Sequence, residues 1–293
     1  MTGKSGRAEL CLAGVTVIWG TTFVLVKSAL ADVSTVLFLA MRFTLAAIVL
    51  VSIYRKALRG NGILPGLLAG CLLFTAFVFQ TKGLELTSAS KSAFLTGLSI
   101  PMVPLASSLV YRIRPRMTEL AGVLIASVGM ALMTLPAGRF EMSRGDFLSF
   151  LCAVVFALHI VVVSHYSPIV GFQTLAVAQV ATAALLATVS FSFIEPARFR
   201  LSGGVAAAVL VTGVLATALA FTAMAWAQQY TSATRAALIF ALEPVFACCT
   251  SYVLLGEKLP GRGKIGAVVI LAGILTVELK RGGIAPDVEL KRT

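Results

Sequence analysis

Three side chains that can carry charge or a proton sit inside runs that are otherwise apolar. Glu243 lies about ten residues into the run 233–255, Arg42 about seven into 35–54, and His159 midway through 146–166. A charged group in hydrocarbon costs about 2.5–3.5 kcal/mol on insertion scales, so each of these positions needs a reason. Glu243 precedes Pro244, whose missing N–H leaves a carbonyl one turn back without its helical partner. The carboxyl is therefore either a site for a solute amine or a proton, or a structural group that caps the broken helix or pairs with Arg42. Arg42 suits a tie to a helix end or, in the functional reading, a solute carboxylate. His159 is a solute contact or a hydrogen-bonded packing residue. Around these, Trp19, Thr22, Phe23, Phe74, Phe77, Phe94 and Trp226 are candidates for the wall of an apolar cavity, with packing and lipid contact as the competing role for each aromatic ring.

Other chemistry is missing from the sequence. It has no His-Glu-x-x-His helix, no Cys-x-x-Cys and no Gly-x-Ser-x-Gly elbow. Gly256–Lys264 fails as a phosphate loop, because Lys258 stands where the first glycine belongs and Ile265 where Ser or Thr is required. No metal, no cofactor and no enzymatic reaction are expected. The five cysteines, Cys11, Cys71, Cys152, Cys248 and Cys249, all fall in apolar runs and are read as small buried hydrophobes.

The elements that position these residues come in two copies. Thr87-Ser88-Ala89-Ser90-Lys91-Ser92-Ala93-Phe94-Leu95 returns 144 positions later as Thr231-Ser232-Ala233-Thr234-Arg235-Ala236-Ala237-Leu238-Ile239. Prolines follow in each copy, Pro101 and Pro104 in the first and Pro244 in the second, and each is expected to break its helix. Gly122 and Gly129 match Gly266 and Gly273 at the same spacing, which places each pair on one helix face for close packing. Gly62, Gly66 and Gly70 form two overlapping steps of the same kind.

Composition decides the medium. Only 12% of residues are charged and 58% are hydrophobic, with a mean hydropathy of +0.96. Soluble domains carry about a quarter charged residues, so the apolar surplus must face lipid. The net charge of +12 lies in short clusters between apolar runs, the pattern of cytoplasmic loops rather than of a nucleic-acid surface. Ten spans are expected at about 9–29, 35–54, 63–84, 91–111, 118–136, 146–166, 171–193, 204–227, 233–255 and 263–280, each near the ~20 residues that cross a bilayer. The first is read as a retained span rather than a signal peptide. Two five-span units, 1–138 and 139–280, precede a polar tail, 281–293. An odd number of spans inverts the second unit relative to the first. Lys4, Arg7, Arg55, Lys56, Arg59, Arg112, Arg114 and Arg116 share one side, which makes both termini cytoplasmic. Lys91 and Arg235 then open equivalent helices on opposite faces, where they would either flank the two mouths of one path or anchor the interfaces.

Trp19-Gly20-Thr21-Thr22-Phe23, Arg42-Phe43, Thr231–Ala237, Leu242-Glu243-Pro244-Val245-Phe246-Ala247 and Leu255-Gly256-Glu257-Lys258-Leu259 resemble the EamA family of the drug/metabolite transporter superfamily, in particular its amino-acid and aromatic amino-acid exporters. The resemblance covers nearly the whole chain as two tandem units. It departs in the first repeat, where Ser99-Ile100-Pro101 replaces Glu-Pro and Arg112-Ile113-Arg114-Pro115 replaces Gly-Glu. It implies an all-α membrane protein of ten helices that exports amino acids and related small metabolites across the bacterial inner membrane. A carrier of this plan would work by alternating access. Efflux of cationic drugs is the alternative within transport; an intramembrane enzyme and a structural or receptor-like protein are alternatives of other classes. The expected partners are a small solute and the bilayer, without nucleic acid, for a monomeric chain.

Overall fold

A chain in hydrocarbon can bond its backbone only to itself, so the apolar runs must become helices. The computed structural model describes residues 3–59, 63–87, 89–134, 142–246, 249 and 261–279. Its helices are α1 (Gly3–Ala29), α2 (Thr35–Tyr54), α3 (Ile63–Leu86), α4 (Ala89–Gly97), α5 (Ser99–Tyr111), α6 (Met117–Thr134), α7 (Arg144–Val170) and α8 (Phe172–Ile194). They continue as α9 (Gly203–Ala227), α10 (Ala233–Phe240) and α11 (Gly261–Leu279). By length and composition α1, α2, α3, the α4–α5 pair, α7, α8 and α9 can each cross a membrane, and α6 holds a shorter apolar stretch, Met117–Met133. Leu109 and Phe193, each 85% exposed, are typical of an outer surface that only lipid can cover. The protein is a multi-pass membrane protein. The expected ninth span runs on to 255 and lies partly outside the described residues, while Cys248 and the Leu255–Leu259 motif lie wholly outside them.

Two polar belts mark the ends of the bundle. At one end the close of α1 meets the close of α3: Lys27 Nζ donates to Leu84 O and to Thr87 O, the latter at 3.0 Å. A cation on the last carbonyls of a helix complements its dipole. Lys82 pairs with Glu85 at 3.0 Å and with Glu195. Thr87 Oγ1 donates to Asp146 Oδ1 at 2.6 Å, and Asp146 also closes a capping box with Ser143 at the start of α7. The α1–α2 and α8–α9 connections join here through Ser34 N–H to Arg198 O and Arg200 N–H to Asp32 O. At the other end, the starts of α1, α6 and α10 meet around Arg235. On α1 the two belts are marked by Glu9 and Lys27, about 27 Å apart along the helix.

The two spans that carry the duplicated prolines break, and at matching places. A proline lacks the N–H that would bond the carbonyl four residues back, and its ring clashes with that carbonyl. α4 ends at Gly97, four residues before Pro101, and α10 ends at Phe240, four residues before Pro244. Tight three-residue bonds bridge both gaps, Leu98 N–H to Leu95 O and Leu242 N–H to Ile239 O. Pro104, by contrast, lies inside α5 and makes no break of its own; the interruption before Pro101 has already set the new helix direction. The cysteines also differ from expectation. Cys152 is buried, Cys11 half-buried, and Cys71 and Cys249 are exposed. An apolar helix turns part of its surface to lipid, and those two thiols lie on such faces.

Candidate solute cavity

Four helical stripes and the two breaks converge on one cavity. Trp19, Thr22, Phe23 and Val26 occupy one face of α1, and Phe77, Gln80, Thr81 and Leu84 occupy one face of α3. Phe156 and His159 come from α7, Phe221 and Met224 from α9. Gly97, Ser99 and Ile100 border the first break, and Phe240 and Glu243 border the second. About 850 Å³ of space lies between these side chains when the open solvent at the mouth is included. Its lining reaches Val26 and Leu84, beside the Lys27 belt.

The wall is a chain of rings. Trp19 packs on Phe221 and Phe240 with centroids 5.3 and 5.2 Å apart. Phe77 meets Phe43, Phe156 and Phe221 edge-on at 5.4, 5.4 and 6.0 Å. Offset and edge-on pairs of this kind hold a rigid apolar surface.

Arg42 is 4% exposed. Its Nε–H donates to Thr217 Oγ1 at 2.7 Å, an Nη2–H reaches Ala216 O at 3.4 Å, and the guanidinium lies 4.3 Å over the Phe77 ring. Among the described residues no carboxylate pairs with Arg42, and none of its bonds involves Nη1. Glu243, half-buried, follows the break directly, and among the described residues its carboxyl has neither a hydrogen bond nor an ion pair. The two charges thus line one cavity without neutralising each other, and Arg42–Glu243 pairing, one of the alternatives for Glu243, is not formed. His159 Nε2 lies 2.8 Å from Gln179 Oε1. With the carbonyl oxygen accepting, Nδ1 is left a bare acceptor; it and Gln179 Nε2 have no partner among the described residues.

The structure therefore brings together Trp19, Thr22, Phe23, Arg42, Phe77, His159 and Glu243 from the sequence candidates. Phe74, Phe94 and Trp226 are not in the lining. Phe74 and Phe94 pack against the apolar core, and Trp226 packs on Tyr230 at 5.4 Å. Pro101 and Pro244 set the breaks without lining the cavity. Lys91 stands in the first turn of α4, at the end where Thr87 meets Asp146. Arg235 stands in the first turn of α10 at the opposite end. Arg235 is not an open charge at a mouth: its Nε–H donates to Glu119 Oε1 at 3.3 Å and its Nη1 lies 4.0 Å from Glu9 Oε1. A half-buried guanidinium is held by carboxylates because burial without them would be costly.

Glycines bring α6 and α11 together at backbone distance, Gly122 against Gly273 and Gly129 against Gly266. The EamA-like transporter family profile matches residues 6–135 and again 143–279. The chain belongs to the EamA-like transporter family. A relative in Archaeoglobus fulgidus, described as an uncharacterized transporter, is 33% identical over 273 residues, covering 93% of this chain and 86% of the relative. A second uncharacterized transporter of that organism is 24% identical over 297 residues, covering 94% and 99%. A crystal structure superposes with a TM-score of 0.78 over 94% of this chain and 97% of its own, at 21% identity, and shares the fold. As an EamA-like transporter the protein moves a solute, and the cavity between its broken helices is the candidate place where that solute sits.

Sequence reasoning missed Gln80, Thr81, Thr96, Ser99, Phe156, Phe221, Met224 and Phe240. Helical spacing from Phe77 reaches Gln80 and Thr81, and the same stripe on α7 pairs Phe156 with His159; that signal was available. Nothing in the sequence alone sets Phe221 apart from its neighbours.

Proposed function

We propose that this EamA-like transporter exports amino acids and related small metabolites across the cell inner membrane by alternating access. The supporting observation is the cavity's charge pattern: one carboxyl, Glu243, and one guanidinium, Arg42, face the same aromatic-walled space unpaired. A zwitterion offers an amine to the first and a carboxylate to the second, which answers both charges at once. A monocation would answer Glu243 and leave Arg42 facing it. Both proline breaks bordering the cavity fit a carrier of ten spans in two inverted halves that rock about a central site. On the orientation given by the basic clusters, both termini are cytoplasmic. The Arg235–Glu119 group then closes the cytoplasmic end while the cavity opens outward.

The partnerless Glu243 also favours a second reading, efflux of cationic drugs. Flux of labelled amino acids and of labelled cationic drugs in proteoliposomes, with and without a pH gradient, separates the two. Amino-acid flux that competes with unlabelled zwitterions is the expected result. Flux of cations with none of amino acids would replace the proposal with drug efflux.

A further inference from the structure

We infer that Thr217, presented by a wide-turned stretch of α9, is the positioning residue that orients Arg42 toward a solute carboxylate. Between Val211 and Leu219 the helix widens to π geometry. Such insertions are uncommon and concentrate at functional sites. Here the widening has a local consequence. Ala220 N–H bonds Leu215 O and Thr217 O and passes over Ala216 O, its partner in a regular α-helix. Ala216 O instead accepts from Trp19 Nε1–H at 3.0 Å and from Arg42 Nη2–H at 3.4 Å.

The hydroxyl of Thr217 differs from that of five other helical threonines. Thr16, Thr182, Thr212, Thr222 and Thr276 each bond back to the carbonyl four residues earlier. Thr217, fully buried, accepts from Arg42 Nε–H at 2.7 Å. Gly213 makes this approach possible: a Cβ there would lie 3.1 Å from Arg42 O and 3.0 Å from Leu45 Cδ2. Two neutral acceptors and the Phe77 face thus fix the guanidinium plane without cancelling its charge. A carboxylate neighbour would have neutralised the site. Neutral oxygens leave Nη1 able to bind an anion, and the shared Ala216 carbonyl ties that donor's position to the Trp19 ring in the cavity wall.

The inference rests on the amino-acid reading, and three ligands keep the two separable. Trp226→Phe leaves Trp19 as the single tryptophan, a reporter in the cavity wall. Its fluorescence is titrated with phenylalanine, 3-phenylpropionate and phenethylamine, which carry both charges, the carboxylate alone and the amine alone. Thr217→Val is expected to raise the dissociation constants for phenylalanine and 3-phenylpropionate about tenfold and to leave phenethylamine within twofold. Thr217→Ser should restore both carboxylate ligands to within twofold. Thr217→Ala, which adds no bulk, should repeat the loss and serves if the valine protein does not fold. Equal weakening of all three ligands, or of none, overturns the positioning role. Unsubstituted protein that binds 3-phenylpropionate but not phenylalanine sinks the amino-acid reading alone and leaves Thr217 to be judged on the carboxylate. Unsubstituted protein that binds neither overturns both.

Discussion

Gly129 and Gly266 meet backbone to backbone: a Cβ on Gly129 would lie 2.7 Å from Gly266 O, and one on Gly266 would lie 2.5 Å from Gly129 O. Gly122 and Gly273 meet the same way at 2.7 Å in both directions. In the sequence repeat Gly122 corresponds to Gly266 and Gly129 to Gly273, so the contacts pair each glycine with the partner of its neighbour. Two equivalent helices packed antiparallel give this crossing, and parallel ones would not. α6 and α11 therefore join the two sequence copies through their shared glycine face.

This contact fixes a first prediction. Gly129→Ala places a methyl 2.6 Å from Ile270 N, a backbone atom that cannot swing aside. Overpacking of this kind costs about 1–3 kcal/mol. Gly14→Ala, with nothing within 4 Å, is the control and should not lower stability. Thermal unfolding in detergent micelles should show a clear drop for the first protein only.

The all-helical membrane character and the helix breaks were legible because hydropathy and proline chemistry act locally. The spacing of Pro101 and Pro244 points to breaks, and the structure places both helix ends four residues upstream, at Gly97 and Phe240. Pro104 shows where that logic stops, since a proline close behind an existing break adds no second one. The cavity was half legible. Trp19, Arg42 and Glu243 stand out as polar or bulky residues in apolar runs, whereas Thr217 and Phe221 look like every other residue of their span. Thr217 gains its role from a change of helical pitch and from Arg42, 175 residues away in the chain. Pairing was the least legible property: the sequence left Glu243 with or without Arg42 and Arg235 at a mouth or an interface, while the fold gives Arg42 neutral oxygens and Arg235 two carboxylates.

The ends of the bundle give a second prediction. Lys91 opens α4 beside the Thr87–Asp146 belt, and Arg235 opens α10 beside Glu9 and Glu119. Cysteines at 91 and 235, each in an otherwise cysteine-free protein, should react with membrane-impermeant thiol reagents from opposite faces of the bilayer. Labelling of both from one face would contradict the inverted arrangement.

A third concerns the Arg235 end, which is the closed one on the alternating-access proposal. The Arg235–Glu119 pair is half-buried, with side-chain exposures of 18% and 9%. Losing it should weaken closure by about 1 kcal/mol, roughly a fivefold change in the ratio of closed to open states. Glu119→Gln should therefore raise the labelling rate of a cysteine at position 240, in the cavity lining, from the Arg235 side. The exchanged pair Glu119→Arg with Arg235→Glu should bring the rate back. An unchanged rate in Glu119→Gln would assign closure to the Trp19–Phe240 packing instead.

Glu243 supplies the last prediction. Its carboxyl follows the second break, faces the cavity, and has no bonded partner among the described residues, whereas the equivalent position of the first break holds Ile100. A purely structural carboxylate would be expected to bond the free backbone groups at the break or the one buried cation in the same wall, and it does neither. Glu243→Gln keeps the shape and removes the charge. It should lower amino-acid flux at least tenfold, the effect of losing about 1.4 kcal/mol of a charge-assisted bond to the solute amine. Insertion and melting temperature should stay unchanged, because no contact within the protein is lost. Glu243→Asp should retain part of the flux. Full transport by correctly inserted Glu243→Gln protein in proteoliposomes would remove this carboxyl from the mechanism and leave Arg42 as the cavity's single charged contact for solute.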